Sequence, residues 1–291
     1  MTEEEASLSN NKRKDWIVSE TKAMRQIILG TSWKMNLGVH ASIDYAIKLN
    51  DFINENMTEE YDIDIFVMPD FLSLYSILKE LERKTKINFG AMDCFWEDKG
   101  AYTGEVSPMF LKEIGCVYIM VGHPERIKYL KEDTEMINRK LKACLRNSLI
   151  PVLPIIEYEK DPDIRQTCRK LKEQLFSYIA GIGETEINRM VLLYEPAWAI
   201  STSNSAPVGH THDIMNALRD DLDKEFGNHR GQKQKIMYGG GIRIERAKEI
   251  MELDNIDGIG MGKAGLSFEY FTGIIKLAME IQKKSNVKCY K

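Results

Sequence analysis

Short apolar runs alternate with longer amphipathic stretches along most of this chain. Eight of the runs are rich in Ile, Val, Leu and Met, a composition typical of strands that are buried on both faces of a sheet. They cover residues 26–33, 63–69, 87–93, 117–123, 149–156, 190–196, 234–240 and 256–262. The pattern predicts eight buried strands.

The segments between these runs repeat their apolar residues at helical spacing. Residues 42–57, 135–149, 212–226 and 267–282 do so, and Ser267 is a suitable N-cap for the last of them. Eight strand-then-helix units predict parallel strands joined by right-handed crossovers. An open, doubly wound sheet remains an alternative. Eight units in about 265 residues favour a closed (β/α)8 TIM barrel of the α/β class.

The barrel is predicted to form a single domain over residues 25–291, because no low-complexity linker interrupts that region. Residues 1–24 are polar and lack the apolar core of a signal peptide. We interpret them as an N-terminal extension that precedes the barrel.

Composition narrows the classes of function. The net charge of −4 argues against nucleic acid as a partner, and the absence of a long apolar run argues against a membrane partner. The five cysteines form no CxxC pair, which favours reduced thiols in the cytoplasm and no zinc site. His210 and His212 form an HxH motif near a predicted helix start, and no cysteine lies close to them in the sequence. For these two histidines we favour capping or solvent exposure over a metal site.

Polar residues follow the predicted strands directly. Lys34 comes directly after the first, His123 ends the fourth with Glu125 just beyond it, and Glu195 lies at the end of the sixth. Alone, each has an ordinary structural explanation: a surface lysine, a hydrogen-bonded core histidine, or a glutamate paired with an arginine. In a barrel, however, the carboxyl ends of all strands share one rim, where the active sites of such enzymes lie. We therefore expect these side chains to converge.

Glycines at the ends of the seventh and eighth predicted strands add an anion site, because exposed backbone N–H groups bind phosphate and glycine allows close approach. A carboxylate base, an imidazole and an amine beside such a site favour isomerisation of a sugar phosphate. The base removes a proton next to a carbonyl and returns it to the adjacent carbon. This chemistry needs no metal or other cofactor.

Five motifs resemble, in order and spacing, segments of the triosephosphate isomerase family. They are GTSWKMN, VGHPER, YEPAWAI, YGGGI and DGIGMGKAGL. The resemblance implies that Glu195 is the general base, His123 a neutral electrophile, and Lys34 the positive charge at the substrate, with Glu125 as its partner. It also implies a mobile lid and a homodimer formed through the loop at residues 100–107. The substrate-binding residues it implies are Ser32, Lys34, Ser201, Gly240, Gly241, Gly262 and Lys263.

Four of these positions depart from the family pattern. Ser32 stands where asparagine is usual, and Gly241 stands where serine is usual. Ser201 and Lys263 both stand where glycine is usual. These departures leave two alternatives to the triose substrate. One is the same reaction on a four-carbon ketose phosphate such as L-erythrulose 1-phosphate. The other is a barrel that binds a sugar phosphate with little turnover.

Overall fold

The computed structural model describes residues 26–82, 84–200 and 205–289. The predicted N-terminal extension therefore lies outside the described residues, and the division at residue 25 stays a prediction. Within the described ranges, no helix is long and apolar enough to cross a membrane.

Eight parallel strands close into a barrel in the order β1 to β8, which confirms the (β/α)8 fold. The strands are β1 (Ile27–Ser32), β2 (Ile63–Met68), β3 (Ile87–Ala91), β4 (Tyr118–Met120), β5 (Ile150–Glu157), β6 (Val191–Pro196), β7 (Lys235–Gly239) and β8 (Gly258–Met261). The barrel closes where β1 pairs with β8, with Ile28 opposite Gly258 and Gly30 opposite Gly260.

Helices surround the barrel. They are α1 (Val39–Asn56), α2 (Phe71–Glu80), α3 (Pro108–Ile114), α4 (Pro124–Leu130), α5 (Thr134–Arg146), α6 (Ile164–Tyr178), α7 (Glu184–Ile187), α8 (Ala197–Ile200), α9 (Val208–Phe226), α10 (Arg230–Lys233), α11 (Ile244–Met251) and α12 (Phe268–Cys289). A 3-10 helix covers Lys263–Leu266. The hydroxyl of Ser267 accepts a hydrogen bond from the Tyr270 amide at 3.2 Å, which confirms the predicted N-cap of α12.

The hydrophobic core has two parts because side chains alternate along each strand. On β6, Leu192 and Tyr194 point outward and pack with the helices, whereas Val191 and Leu193 point into the barrel. Glu195 continues the inward series at the end of the strand. The alternation therefore places this carboxylate at the mouth of the barrel.

The fourth strand is shorter than its apolar run. Residues 117–123 were predicted as a strand, but β4 ends at Met120. Gly122 has a φ of +77°, a left-handed conformation in which a Cβ is disfavoured. The chain turns there, and the next residue, His123, begins a helix instead of extending the strand.

Candidate active site

His123 is the N-cap of α4, and this position determines its tautomer. Its Nδ1 accepts a hydrogen bond from the Glu125 amide at 3.2 Å. Nδ1 is therefore unprotonated, and the neutral ring carries its proton on Nε2. Burial and the nearby charge of Lys34 lower the pKa of His123 to about 4. The imidazole is consequently neutral at physiological pH and is a hydrogen-bond donor through Nε2.

Lys34 and Glu125 form an ion pair across the rim, with Nζ and Oε1 2.7 Å apart. Burial alone would raise the pKa of Glu125, but the hydrogen bond and charge of Lys34 outweigh it and hold the pKa below its ordinary value. Lys34 has a φ of +51°, which is uncommon for a residue with a side chain. A strained backbone thus presents the ammonium group at the end of β1.

The surroundings of Glu195 favour the uptake of a proton by its carboxylate. Among the described residues its Oε2 is buried and has no hydrogen-bond partner. Burial raises the pKa of Glu195 to about 7, although the charge of Lys34 acts in the opposite direction. A carboxylate with a pKa near neutrality is a stronger base than an ordinary glutamate and is still ionised in a useful fraction of molecules.

These side chains meet in one cavity of about 340 Å³ at the carboxyl ends of the strands. Of the predicted site residues, those lining it are Ser32, Lys34, His123, Glu195, Gly240, Gly241, Gly262 and Lys263. Glu125 reaches the site through its ion pair with Lys34. Ser201, the predicted lid residue, lies outside the described residues. The expected convergence at one rim is therefore observed for the charged and imidazole groups.

Glycine is needed sterically at one point of the glycine-lined wall of the cavity. A Cβ added to Gly240 would lie 2.7 Å from the hydroxyl oxygen of Tyr238. At the neighbouring strand, Lys263 begins the 3-10 helix directly after Gly262. Bare backbone and one ammonium group therefore lie on the same side of the cavity, an arrangement suited to an anion.

A buried charge cluster holds α4, and the sequence analysis missed most of it. Arg126 on α4 contacts Asp93 at 2.7 Å and Glu132 at 2.6 Å. Lys140 on α5 reaches the same two carboxylates. Burial raises the pKa of Asp93 to about 6 despite these two cations. The cluster fixes the first turn of α4, and with it the orientation of His123.

Comparison with known proteins agrees with this geometry. A family profile described as Triosephosphate isomerase matches residues 27–278. A triosephosphate isomerase of Dehalococcoides mccartyi is 35% identical over 261 residues, covering 90% of this chain and all of the relative. That of Dictyoglomus turgidum is 34% identical over 253 residues, covering 87% of this chain and all of the relative.

The chain belongs to the triosephosphate isomerase family. A third relative, the triosephosphate isomerase of Caldanaerobacter subterraneus subsp. tengcongensis, is 32% identical over 252 residues, with 87% of this chain and 99% of the relative covered. The resemblance inferred from the five motifs is thus confirmed over nearly the whole barrel.

By the resemblance the predicted lid covers residues 196–203, and the structure describes the chain on both sides of residues 201–204. On the first side lies α8, which contains Trp198. On the second side the Ala206 amide donates a hydrogen bond to the Tyr238 hydroxyl at 3.2 Å, and the Ser205 hydroxyl donates to the Gly241 carbonyl. The segment that follows the predicted lid is therefore attached to the loop that forms the glycine wall of the cavity.

The expectation that His210 caps a helix or lies in solvent is wrong. Its Nε2 lies 3.0 Å from Oε2 of Glu157, which is the last residue of β5, and Glu157 also accepts from the Tyr194 hydroxyl. The His210 ring packs edge-on against Trp198, with centroids 5.9 Å apart. The acidic partner was missed because it is 53 residues away in the chain. Its only sequence signal is a glutamate that ends a buried run.

Proposed function

We propose that this chain is an active aldose–ketose isomerase that interconverts glyceraldehyde 3-phosphate and dihydroxyacetone phosphate. The observation that carries the proposal is one cavity lined by Glu195, His123 and Lys34. In it the pKa of Glu195 is about 7 and that of His123 about 4. The first is suited to a base and the second to a neutral donor.

In the proposed mechanism, ionised Glu195 removes a proton from the carbon next to the substrate carbonyl. The electron pair moves to the carbonyl oxygen and forms an enediolate. His123 stabilises this oxygen by donating its Nε2 proton in a hydrogen bond, and Lys34 supplies positive charge. Protonated Glu195 then returns the proton to the adjacent carbon. The exchange of protons between the two oxygens completes the conversion.

The phosphate group is proposed to bind at the opposite side of the cavity, against Gly240, Gly241 and Gly262. Lys263 would add one strong charge there, in addition to neutral backbone donors. Ser32 is proposed to contact the oxygens of the substrate chain, and Ser201 to reach the phosphate from the lid. Closure of the lid would exclude water and protect the enediolate from losing phosphate.

The substitution Glu195→Gln tests the base directly. It keeps the shape of the side chain and removes its ability to accept a proton, so we expect kcat to fall by a factor of about a thousand or more with little change in substrate binding. The exposed Glu173 on α6 provides a matched control, because Glu173→Gln makes the same chemical change far from the cavity. Turnover near that of the wild type in Glu195→Gln would refute the assignment.

Two alternatives are separated by simple assays. A panel of three- and four-carbon ketose phosphates identifies the preferred substrate, and a higher kcat/KM for L-erythrulose 1-phosphate would replace the triose assignment. Exchange of solvent deuterium into a bound ketose phosphate distinguishes an isomerase from a binding protein. Tight binding without exchange would identify the binding protein.

We also propose a homodimer formed through the loop at residues 100–107, whose residues 101–105 are all exposed. Apolar side chains close to the loop and the rim are exposed as well, with Met35 at 96%, Leu72 at 79% and Phe110 at 49%. Burial of such a surface favours association. Light scattering at micromolar concentration tests this, and a monomer would contradict it.

The free thiols of Cys94, Cys116, Cys144 and Cys168 support a proposed cytoplasmic location.

A further inference from the structure

Glycines replace side chains at three inward-facing positions just below the site. They are Gly30 on β1, Gly239 on β7 and Gly260 on β8. A Cβ added to Gly239 would lie 2.9 Å from Leu193, and one added to Gly260 would lie 2.7 Å from Leu193. A Cβ added to Gly30 would lie 2.1 Å from the ring of Phe66. The three glycines thus provide the space that these two large side chains occupy.

Leu193 on β6 therefore extends over β7 and β8, and Phe66 on β2 extends over β1. Both pack in the apolar cluster inside the barrel, together with Met120, and all three line the cavity. Leu193 precedes Glu195 by two residues, so its side chain lies on the same face of β6, directly below the base. We call Leu193, Phe66 and Met120 the cavity floor.

The cavity floor is apolar, whereas the walls above it carry the charged groups and the glycine backbone. A substrate that has its phosphate at Gly240 and Lys263, and its reacting carbons at Glu195, has this floor beneath it. A further hydroxymethyl group directed downward would meet the isobutyl group of Leu193. The Leu193 side chain would leave too little room for the hydroxymethyl group, and the hydroxyl of that group would be buried without a hydrogen-bond partner.

We propose that Leu193 is a specificity-determining residue that restricts this site to three-carbon phosphates. This inference rests on the proposed isomerase function and adds the substrate class that the site excludes. Selectivity between three- and four-carbon phosphates is thereby assigned to the apolar side chain of Leu193 on β6. Ser32 on β1 is not the cause, because its short side chain would by itself favour a longer substrate.

The test measures kcat/KM for glyceraldehyde 3-phosphate and for a four-carbon ketose phosphate in the full-length chain. In Leu193→Ala we expect the ratio of the four-carbon to the three-carbon value to rise by about tenfold or more, because steric exclusion of one carbon has effects of this size. Val191→Ala is the matched control. Val191 is buried in the same cluster on the same face of β6, but it does not line the cavity, so its ratio should stay that of the wild type.

A reciprocal variant tests the same contact from β8. Adding Gly260→Leu to Leu193→Ala returns a large side chain to the floor, and we expect the wild-type ratio to be restored. Because both rates come from one preparation, partial unfolding does not alter the ratio. If Leu193→Ala fails to fold, Leu193→Val removes a single methylene, and a smaller rise in the same direction is expected.

The outcomes distinguish this inference from the function on which it rests. A wild type that turns over the triose, combined with an unchanged ratio in the Leu193 variants, would overturn the inference and leave the isomerase intact. An equal rise in Val191→Ala would also overturn it. A wild type that prefers the four-carbon substrate would show that the floor does not exclude it. A wild type that isomerises neither substrate would remove the proposed function and this inference together.

Discussion

At the scale of single residues, burial puts two titrating groups into the protonation states that proton transfer requires. The ordinary pKa of a histidine lies above that of a glutamate. In this cavity the order is reversed, with His123 at about 4 and Glu195 at about 7. Desolvation is the main cause for both, because it disfavours the charged form of each group. The result is a neutral donor beside a strong carboxylate base.

This reversal predicts the pH dependence of kcat/KM. Glu195 accepts a proton only when ionised, so kcat/KM should fall about tenfold per pH unit below pH 7. His123, with a pKa of about 4, should add no inflection between pH 5 and 9. The measurement is a pH–rate profile corrected for ionisation of the substrate phosphate. An acid limb centred near the ordinary glutamate value would show that Glu195 is solvated in solution.

The same shift has a thermodynamic consequence that provides an independent check. The folded-state pKa of about 7 lies above the ordinary value of 4.5, so the stabilisation that Glu195 contributes is present below pH 4.5 and is lost as pH rises through 7. In Glu195→Gln the side chain does not ionise, so stability is not lost in this way as pH rises. Relative to the wild type, this variant should gain on the order of 2 kcal/mol in unfolding free energy between pH 5 and pH 8. Denaturant titration at both pH values measures the difference.

At the scale of elements, two short helices position the chemistry. The N-terminus of α4 orients His123, and the buried cluster around Arg126 anchors that helix. At the lid, α8 carries Trp198 against His210 on α9, while Glu157 at the end of β5 contacts His210. The first hinge proposed for the lid therefore packs against a buried acid–imidazole pair.

Removing the imidazole in His210→Ala should destabilise this hinge. Glu157 keeps Tyr194 but loses its second partner, which costs about 1–3 kcal/mol for a buried carboxylate. His210 also helps to hold the pKa of Glu157 below its ordinary value despite burial. A depressed pKa stabilises the fold above the unfolded value, and this stabilisation is lost as the pH falls through the folded-state pKa. The difference in stability between the wild type and the variant should therefore be largest near neutral pH and should shrink on acidification. Thermal unfolding between pH 4 and pH 8 measures both effects.

His212 supplies the control for this prediction. It lies two residues away on α9, its side chain is 38% exposed, and it faces Asp213 and Asp254 at the surface. His212→Ala should therefore change stability by no more than about 0.5 kcal/mol. Equal effects of the two substitutions would show that the contact between His210 and Glu157 does not stabilise the hinge.

At the scale of the whole molecule, closure of the barrel brings distant strand ends to one mouth. The closing contact is between β1 and β8, at opposite ends of the chain. A Cβ added to Gly258 would lie 1.7 Å from the carbonyl oxygen of Ile28, an atom of the backbone that no rotamer change can move. The close approach of these two strands thus depends on glycine at this position.

Gly258→Ala should accordingly destabilise the whole barrel. We expect a loss of at least about 3 kcal/mol, because the two strands must separate to accept one methyl group. Gly209 is the matched control, since it lies exposed in α9 and, among the described residues, no atom comes within 4 Å of an added Cβ. Gly209→Ala should stabilise the protein by about 0.5–1 kcal/mol. Chemical denaturation of both variants is the measurement, and similar stabilities would contradict the steric argument.

The periodicity of the sequence predicted the architecture almost completely. Eight apolar runs and the amphipathic segments between them carry local signals that do not depend on distant contacts, and all eight strands were confirmed. The errors were at the ends of elements. One example is the strand that stops at Met120 because Gly122 turns the chain. Glu195, His123 and Lys34 could be selected beforehand because each follows a buried strand.

What the sequence by itself determined is therefore the order of strands and helices, the single rim that they imply, and the reactive groups carried there. Only the tertiary structure determined the pairing of His210 with Glu157, the cluster around Lys140 and the glycines beneath Leu193. The physical reason is that these contacts join residues far apart in the chain, and no local pattern records which side chains meet. The protonation states of Glu195 and His123 belong to this second group, because desolvation exists only once the barrel has closed around them.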